Sequence, residues 1–457
     1  MHLVAPLVFG VLSWGAGGSC KTIPPEPVRA NVILVMADDM GWGDLGEGQT
    51  TLTPQLDTMA ANGLSFTRFY AAAPVCSPTR GSVLTGRHPS RYGITGANTG
   101  HMPADEHTLA EYLHEAGYAT GHFGKWHLGT LTTEKKDSNR GRKGKTKHYA
   151  PPWEHGFKVC FSTEAKVPTL DPMVDPKSGG VYGTAYWTGP KEEVLDDLKG
   201  DDSALIMDRA LAFIAEVSDA GQPFFAVVWF HAPHRPVVAS EEHLARHPDW
   251  KGEAQHYRGC LSAMDDQIGR LRAALREHEI ADETMLWFCS DNGPEGKNET
   301  LGTTCGLRGR KRSLHEGGVR VPGILEWPER VSAGTVTDVP AVTSDYLPTI
   351  LGALGIELRD ERPMDGLDLR AQLWGEDQER SRGIGFCSAK EQTWIHGNYK
   401  IHVRGKGEPV RLYDLRSDPG ERDDLAQEDA ERAERMRAAL AAWSASCALS
   451  AAGDDYR

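Results

Sequence analysis

Residues 31–39 read Asn-Val-Ile-Leu-Val-Met-Ala-Asp-Asp, an apolar run of strand length that stops on two adjacent carboxylates. Such a near-continuous run, rather than an alternating one, is the pattern of a central strand covered on both faces. On its carboxyl side the pattern changes period. Residues 54–64 carry Leu56, Met59, Ala60 and Leu64 at helical spacing, so strand and helix alternate from the outset.

The alternation continues along the chain. Residues 108–116 are expected to be helical, 118–123 a strand, 203–217 a helix, 223–230 (PFFAVVWF) a buried strand, 257–280 a long amphipathic helix and 284–289 a strand. This predicts an α/β fold: a large, mostly parallel sheet sandwiched by helices. Each of four strands ends in ionisable or amide residues: Asp38 and Asp39, then Lys125 and His127, then His231 and His234, then Asp291 and Asn292. In open parallel sheets the loops at the carboxyl ends converge on a crevice. One aspartate after a strand reads as a helix cap; four such clusters on one predicted edge read as a site.

Asp38, Asp39, Asp291 and Asn292 offer only hard oxygens, which suit calcium or magnesium and disfavour zinc. A second stretch, residues 74–87 (PVCSPTRGSVLTGR), places Cys76 where a loop becomes a helix. Ser77 is expected to cap it, with Pro78 at the first helical position, Arg80 on the first turn and Gly86 at the close. A helix start carries free N–H groups and partial positive charge, so it suits an anion at Cys76. The glycine-bearing basic loop 306–321 is expected to bring Lys311 to the same rim, before a strand over 321–327 and a helix over 344–354. Beyond about residue 372 the pattern shortens to a strand pair over 394–403, a strand at 411–414, a turn at 417–420 and a closing helix over 427–446. The expected division is therefore a catalytic α/β domain, 28–372, and a smaller C-terminal α+β subdomain, 373–457, with a short antiparallel sheet plus helix.

Cys76-Ser77-Pro78-Thr79-Arg80, followed by Leu84-Thr85-Gly86-Arg87, resembles the signature of the formylglycine-dependent sulfatases, within the alkaline-phosphatase-like superfamily. Leu412-Tyr413-Asp414-Leu415 and Asp418-Pro419-Gly420-Glu421 resemble the end of the same pattern. The resemblance implies that a maturation enzyme oxidises Cys76 to formylglycine, whose hydrate is the nucleophile. It also implies that Asp38, Asp39, Asp291 and Asn292 hold calcium, with residue 76 as a further ligand. Arg80, Lys125, His127, His234 and Lys311 match family positions one by one. Ammonium groups at Lys125 and Lys311 suit sulfate oxygens; the two imidazoles suit handling the nucleophile's proton and protonating the departing oxygen. No residue between His127 and His234 is assigned to the serine-like contact of that family. Two other readings stay open: a phosphomonoester or phosphonate-ester hydrolase on the same scaffold, and a non-catalytic binder of sulfated glycans.

Composition narrows the partners. A net charge of −14 over 457 residues argues against nucleic-acid binding by the surface as a whole. Residues 3–14 are an apolar run leading into Gly-Ala-Gly-Gly-Ser-Cys, so residues 1–20 are expected to be a signal peptide and the protein to be periplasmic or extracellular. Lipidation at Cys20 stays open, and no later segment has the length of a membrane helix. Eight cysteines form no Cys-x-x-Cys pair, and their pairing is not legible. A sulfated small molecule or polysaccharide is the expected substrate. Trp126, Trp153 and Trp187, in predicted loops, are expected to stack on sugars, and the basic run 135–148, with Lys143, Lys145 and Lys147, to lie over the crevice.

Overall fold

The computed structural model describes residues 29–46, 53–137, 140, 147–374, 379–388, 391–405 and 407–457. The expected leader, Cys20, Lys143 and Lys145 lie outside the described residues. Asn31–Ala37 is a strand with all seven residues buried. It pairs in parallel with Phe224–Trp229 on one side and Thr284–Ser290 on the other, Val35 lying opposite both Val228 and Phe288. Alternate residues of a strand face opposite ways, and here both ways lead inward. Val32, Leu34 and Met36 enter one core, whereas Ile33, Val35 and Ala37 enter the other. That double burial is why the run carries no polar alternation.

Ala119–Lys125 and Val159–Thr163 extend the parallel set beyond Phe224–Trp229. Five parallel strands thus stand at the middle of a ten-stranded sheet, with antiparallel neighbours at Gly323–Glu326 and Tyr186–Gly189. Helices Asp202–Asp219 and Glu253–Glu277 supply Ile206, Phe213, Leu261, Ile268 and Leu271 to one core. Cys76–Thr85, Leu109–Glu115 and Tyr346–Leu354 supply Val83, Leu84, Leu113, Leu347 and Ile350 to the other. The expected α/β sandwich is present.

The C-terminal sheet is antiparallel, in the order Ile384–Cys387, Glu391–His396, Tyr399–Arg404, Arg411–Asp414, and is covered by helix Ala430–Ala451. Its central hairpin turns at Gly397, in the left-handed region at φ +56°, as the sequence anticipates.

Two local expectations are overturned. The single strand over 321–327 is two strands, Arg320–Val321 beside Phe69–Tyr70 and Gly323–Glu326 in the large sheet, divided at Pro322, which has no N–H to give to a ladder. Trp126 and Trp187 are buried rather than displayed, their indole N–H groups donating to the Ala150 carbonyl and to Asp137, both within the fold. Trp153 is half-buried against Tyr149. Of the described residues of the basic run, Lys135 and Lys136 are exposed. Arg140 is buried and its guanidinium donates to Glu164 and to the Gly100 and His127 carbonyls, while Lys147 is exposed. The described cysteines, 76, 160, 260, 289, 305, 387 and 447, are all free thiols, and no described helix is long and apolar enough to cross a membrane.

Candidate active site

The carboxyl ends of the parallel strands bring the expected residues together. Asp38 and Asp39 follow Asn31–Ala37, Lys125 ends its own strand, His234 lies four residues past Trp229's exit at Phe230, and Asp291 and Asn292 follow Ser290. Helix Cys76–Thr85 points its first residue at them. Its N-cap is Val75, not Ser77, and the hydroxyl of Ser77 is spent elsewhere, its one proton shared between the Ala97 and His127 carbonyls at 2.7 and 2.6 Å. Cys76 is therefore itself the first helical residue. All ten residues of this helix are buried, and Gly86 ends it in the left-handed conformation at φ +67°, where a side chain would be strained.

Asp38, Asp39, Cys76 and His234 each present one ligating atom, and these atoms lie within 4.8 Å of one another. Three cations are paired with three carboxylates around them. Lys125 donates to Asp38, Lys311 donates to both oxygens of Asp39 at 2.6 and 2.7 Å, and Arg80 donates to Asp291 at 2.7 Å. Arg80 also donates to the Lys125 carbonyl at 3.0 Å and lies 5.2 Å over the ring of Trp229. Asn292 donates to Asp39 Oδ1 at 2.7 Å, and the Asp39 N–H donates to Asp291 Oδ1 at 3.1 Å, with Asp39 itself at φ +72°. Gly293 follows because the Gly317 carbonyl would stand 2.0 Å from any Cβ there. The Lys311 loop is fixed to the nucleophile segment by the Arg312 N–H, which donates to the Pro74 carbonyl at 2.8 Å.

Burial dominates the electrostatics. It would raise Asp38, but Lys125, His234, Arg80 and Lys311 together hold that carboxyl well below its usual range. Asp291, buried and facing Asp38, is pushed up to about 7. Burial pushes the Cys76 thiol up to about 12, so an unmodified thiol there is no thiolate near neutrality. Burial and then Lys311 bring His234 down to about 4. Burial, then Lys125, Arg140 and Arg80, lower His127 as well.

A divalent cation fits this set. Asp38 Oδ1 and Asn292 Oδ1 are buried without a hydrogen-bond partner among the described residues, a costly state for polar oxygens unless something electropositive meets them. Asp38, Asp39 and residue 76 present ligand atoms to one another, Asn292 is held to Asp39 through its amide N–H, and the carboxylate and amide oxygens are hard donors.

Two contacts were not legible beforehand. His127 Nε2 faces Asn98 Oδ1 at 3.1 Å, and Arg140 braces both the His127 carbonyl and the Ser77 hydroxyl, at 3.1 and 3.0 Å. Neither residue sits in a motif, and both reach the site over tens of residues of chain. His231, conversely, belongs to the scaffold: its ring is buried between Asp202, at 2.7 Å, and Thr163, at 2.8 Å.

A family profile described as Sulfatase matches residues 30–356. The N-acetylgalactosamine-6-sulfatase of Sus scrofa is 34% identical over 426 residues, covering 86% of this chain and 74% of that protein. Arylsulfatase A of Bos taurus is 31% identical over 459 residues, covering 90% and 85%. Among solved structures, Ps i-CgsB in complex with k-i-k-neocarrahexaose superposes with a TM-score of 0.80 at 26% identity, covering 92% of this chain and 93% of that one.

Proposed function

Because the chain belongs to the sulfatase family, and is a sulfuric ester hydrolase, we propose that its substrate is a sulfated saccharide and that the reaction runs at the cluster around Cys76. The observation that carries the assignment of this cluster is the pair of partnerless buried oxygens, Asp38 Oδ1 and Asn292 Oδ1, beside residue 76. Asp38, Asp39, Asp291 and Asn292 would hold calcium, with residue 76 completing the set. When bound, the cation neutralises sulfate oxygens and favours the ionised nucleophile. Conversion of Cys76 to formylglycine by a maturation enzyme would supply a hydrated aldehyde where the buried thiol is unreactive.

The chain's own groups divide the remaining work. Lys125 and Lys311 take the non-bridging oxygens of the ester, which a buried site otherwise solvates poorly. With three cations already set against three carboxylates, an added dication leaves a net positive pocket for the sulfate monoanion. His234 Nδ1 donates to the Arg235 carbonyl at 2.6 Å, which leaves Nε2 facing Asp39 at 3.6 Å. With Nδ1–H given to that carbonyl, a proton on Nε2 makes the ring an imidazolium, a form that the bound sulfate anion favours against the burial that lowers its pKa; Nε2 then hands that proton to the departing oxygen. His127 holds Nε2 against Asn98 and leaves Nδ1 as its free nitrogen, the atom suited to taking the nucleophile's proton. Arg80 fixes Asp291 and the end of the Lys125 strand together.

The saccharide reading is supported by an open cleft of about 580 Å³ beside His234 and Lys311, lined by Arg235, Glu253, Glu295, Asn298 and Arg312. Its wall is polar, suited to hydroxyl groups, and its size is in the range of small-molecule sites, about 300–1,000 Å³. The named relative acts on, and the named neighbour binds, a carbohydrate by their own descriptions. The apolar residues 3–14 support export to the periplasm or exterior, which cell fractionation tests. The function is tested by a desulfation screen with aldehyde-bearing enzyme over monosaccharide, glycosaminoglycan, algal-polysaccharide and aryl sulfates, with matched aryl phosphates alongside. Saccharide sulfates are expected to give the highest kcat/KM; a preference for phosphate esters would overturn the reading.

A further inference from the structure

Strand Val159–Thr163 runs beside Ala119–Lys125 with Thr163 opposite Lys125. The chain leaving it crosses the carboxyl edge of the sheet instead of entering a helix. Thr163 Oγ1 donates to the Ala165 carbonyl at 2.8 Å, Ala165 and Val167 are buried, and the Thr169 N–H donates at 3.4 Å to the carbonyl of Pro236, two residues beyond His234. The segment therefore spans from Lys125 to the His234 loop, and Lys166 is at its middle.

Lys166 is half-buried between two buried apolar neighbours. Lys125, Lys311, Asp38 and Asp39 all lie within its electrostatic reach, and burial, then Lys125 and Lys311, lower its pKa. The other cations of the cluster are each committed to a carboxylate, whereas Lys166 makes no hydrogen bond or ion pair with any described residue. Asp38 and Asp39 attract it from a distance, but a half-buried ammonium group with no carboxylate in direct contact is unfavourable in the free protein. It becomes favourable when an anion binds, and the cleaved sulfate already has Lys125 and Lys311.

We propose that Lys166 is a specificity residue that takes a second anionic group of the substrate, a carboxylate or a further sulfate carried next to the scissile ester. This deepens the saccharide reading and rests on it for the kind of molecule, though not for the placement of the charge. Its partner chemistry is that of a polyanionic sugar, reached across the mouth of the site from the cleft at Arg235 and Arg312.

The test compares wild type with Lys166→Gln and Lys166→Arg on five substrates: a monosulfated saccharide with no other charge, the same saccharide with an added carboxylate, the same with a second sulfate, and two aryl sulfates, one with and one without a ring carboxylate. Lys166→Gln is expected to raise KM about tenfold for compounds with the second anion, the scale of one charge-assisted hydrogen bond, with kcat little changed. KM for the monoanionic compounds should stay at the wild-type value, and Lys166→Arg should recover most of the loss. Whichever of the carboxylate and the second sulfate loses more identifies the natural group. If wild type turns over no saccharide but the carboxylated aryl sulfate still shows the Lys166-dependent KM, the saccharide reading fails and the lysine's role stands. If Lys166→Gln lowers activity on all compounds equally, or on none, the proposal is overturned; circular dichroism and melting temperature of the variants distinguish misfolding from loss of contact.

Discussion

Arg80, on the first turn of the helix that begins at Cys76, meets Asp291, at the end of strand Thr284–Ser290, at 2.7 Å with neither side chain exposed. The pair joins the nucleophile's helix to the sheet edge that carries the oxygen donors. Removing one partner strands the other charge in the interior. Arg80→Ala is therefore expected to destabilise the fold by about 3–5 kcal/mol, read by denaturant unfolding. Arg80→Lys keeps the charge but not the fork, since one ammonium group cannot replace the paired donation to Asp291 and to the Lys125 carbonyl. It should fall between the two in stability while losing most of its turnover, and a fully active Arg80→Lys would show that the second contact is dispensable.

Metal dependence follows from the two partnerless oxygens. Chelation should abolish turnover and calcium restore it, and the same treatment should lower the melting temperature, because a ligand that binds only the native state stabilises it. Asn292→Ala removes one of those oxygens and should raise the calcium concentration needed for half-recovery by about tenfold or more, measured by titrating calcium into metal-stripped protein. Full activity in demonstrably metal-free enzyme would contradict the assignment.

Peptide mass spectrometry should find an aldehyde at position 76 in active preparations. Burial holds the thiol up to about 12, so raising the pH from 7 to 9 should not rescue unconverted protein. Activity proportional to free thiol would refute this.

For His234, the informative variable is the leaving group. His234→Ala should lose about 100-fold or more in kcat on esters of sugar alcohols, which need a proton to depart, and far less on esters of acidic phenols, general acid catalysis contributing about 10²–10⁴-fold. Equal losses on both would place His234 in binding rather than in proton transfer.

The C-terminal sheet supplies a pH prediction. Burial would raise Glu421, but Lys400 and His315 hold it down to about 2, against a usual value of 4.5. A carboxyl depressed in the folded state contributes stability that is present above pH 4.5 and is lost as pH falls toward 2. Glu421→Gln should therefore melt well below wild type at neutral pH, with the gap closing as pH is lowered from about 4.5 toward 2. A gap that stays constant over that window would mean that the charge on Glu421 is not what stabilises.

The elements that could be recognised from local pattern were those whose burial is total. Asn31–Ala37 and Thr284–Ser290 are apolar in every residue between their terminal ones because both faces meet a core, so nothing beyond the strand itself was needed to see them. The oxygen donors were visible because they follow such strands directly, Lys125 because it ends one, and Lys311 because it sits in a basic, glycine-bearing loop. What failed depended on distant chain. Ser77 obeys the capping preference in sequence, yet two carbonyls from 97 and 127 take its hydroxyl. Trp126 and Trp187 look like display residues after a strand, and only tertiary packing covers them. Asn98 and Arg140 reach His127 from segments with no motif at all, Arg140 from within the basic run.

The ion-pair group formed by Lys400, Glu316 and Glu421 sits at full burial between the C-terminal sheet and the short helix Glu316–Val319 that follows the Lys311 loop. Lys400 touches Glu316 at 2.9 Å and Glu421 at 3.1 Å, and the Glu316 N–H donates to Glu421 at 2.6 Å. A premature stop anywhere before residue 400 would thus delete the nearest counter-ion of Glu316, a carboxylate five residues from Lys311, leaving it the Tyr70 hydroxyl at 2.9 Å and Arg320 at 3.7 Å. Grafting a foreign C-terminal half onto this catalytic half would meet the same obstacle: without a lysine and a glutamate at these two depths, the hybrid leaves the buried Glu316 to Tyr70 and Arg320 alone, one short helix from the Lys311 loop.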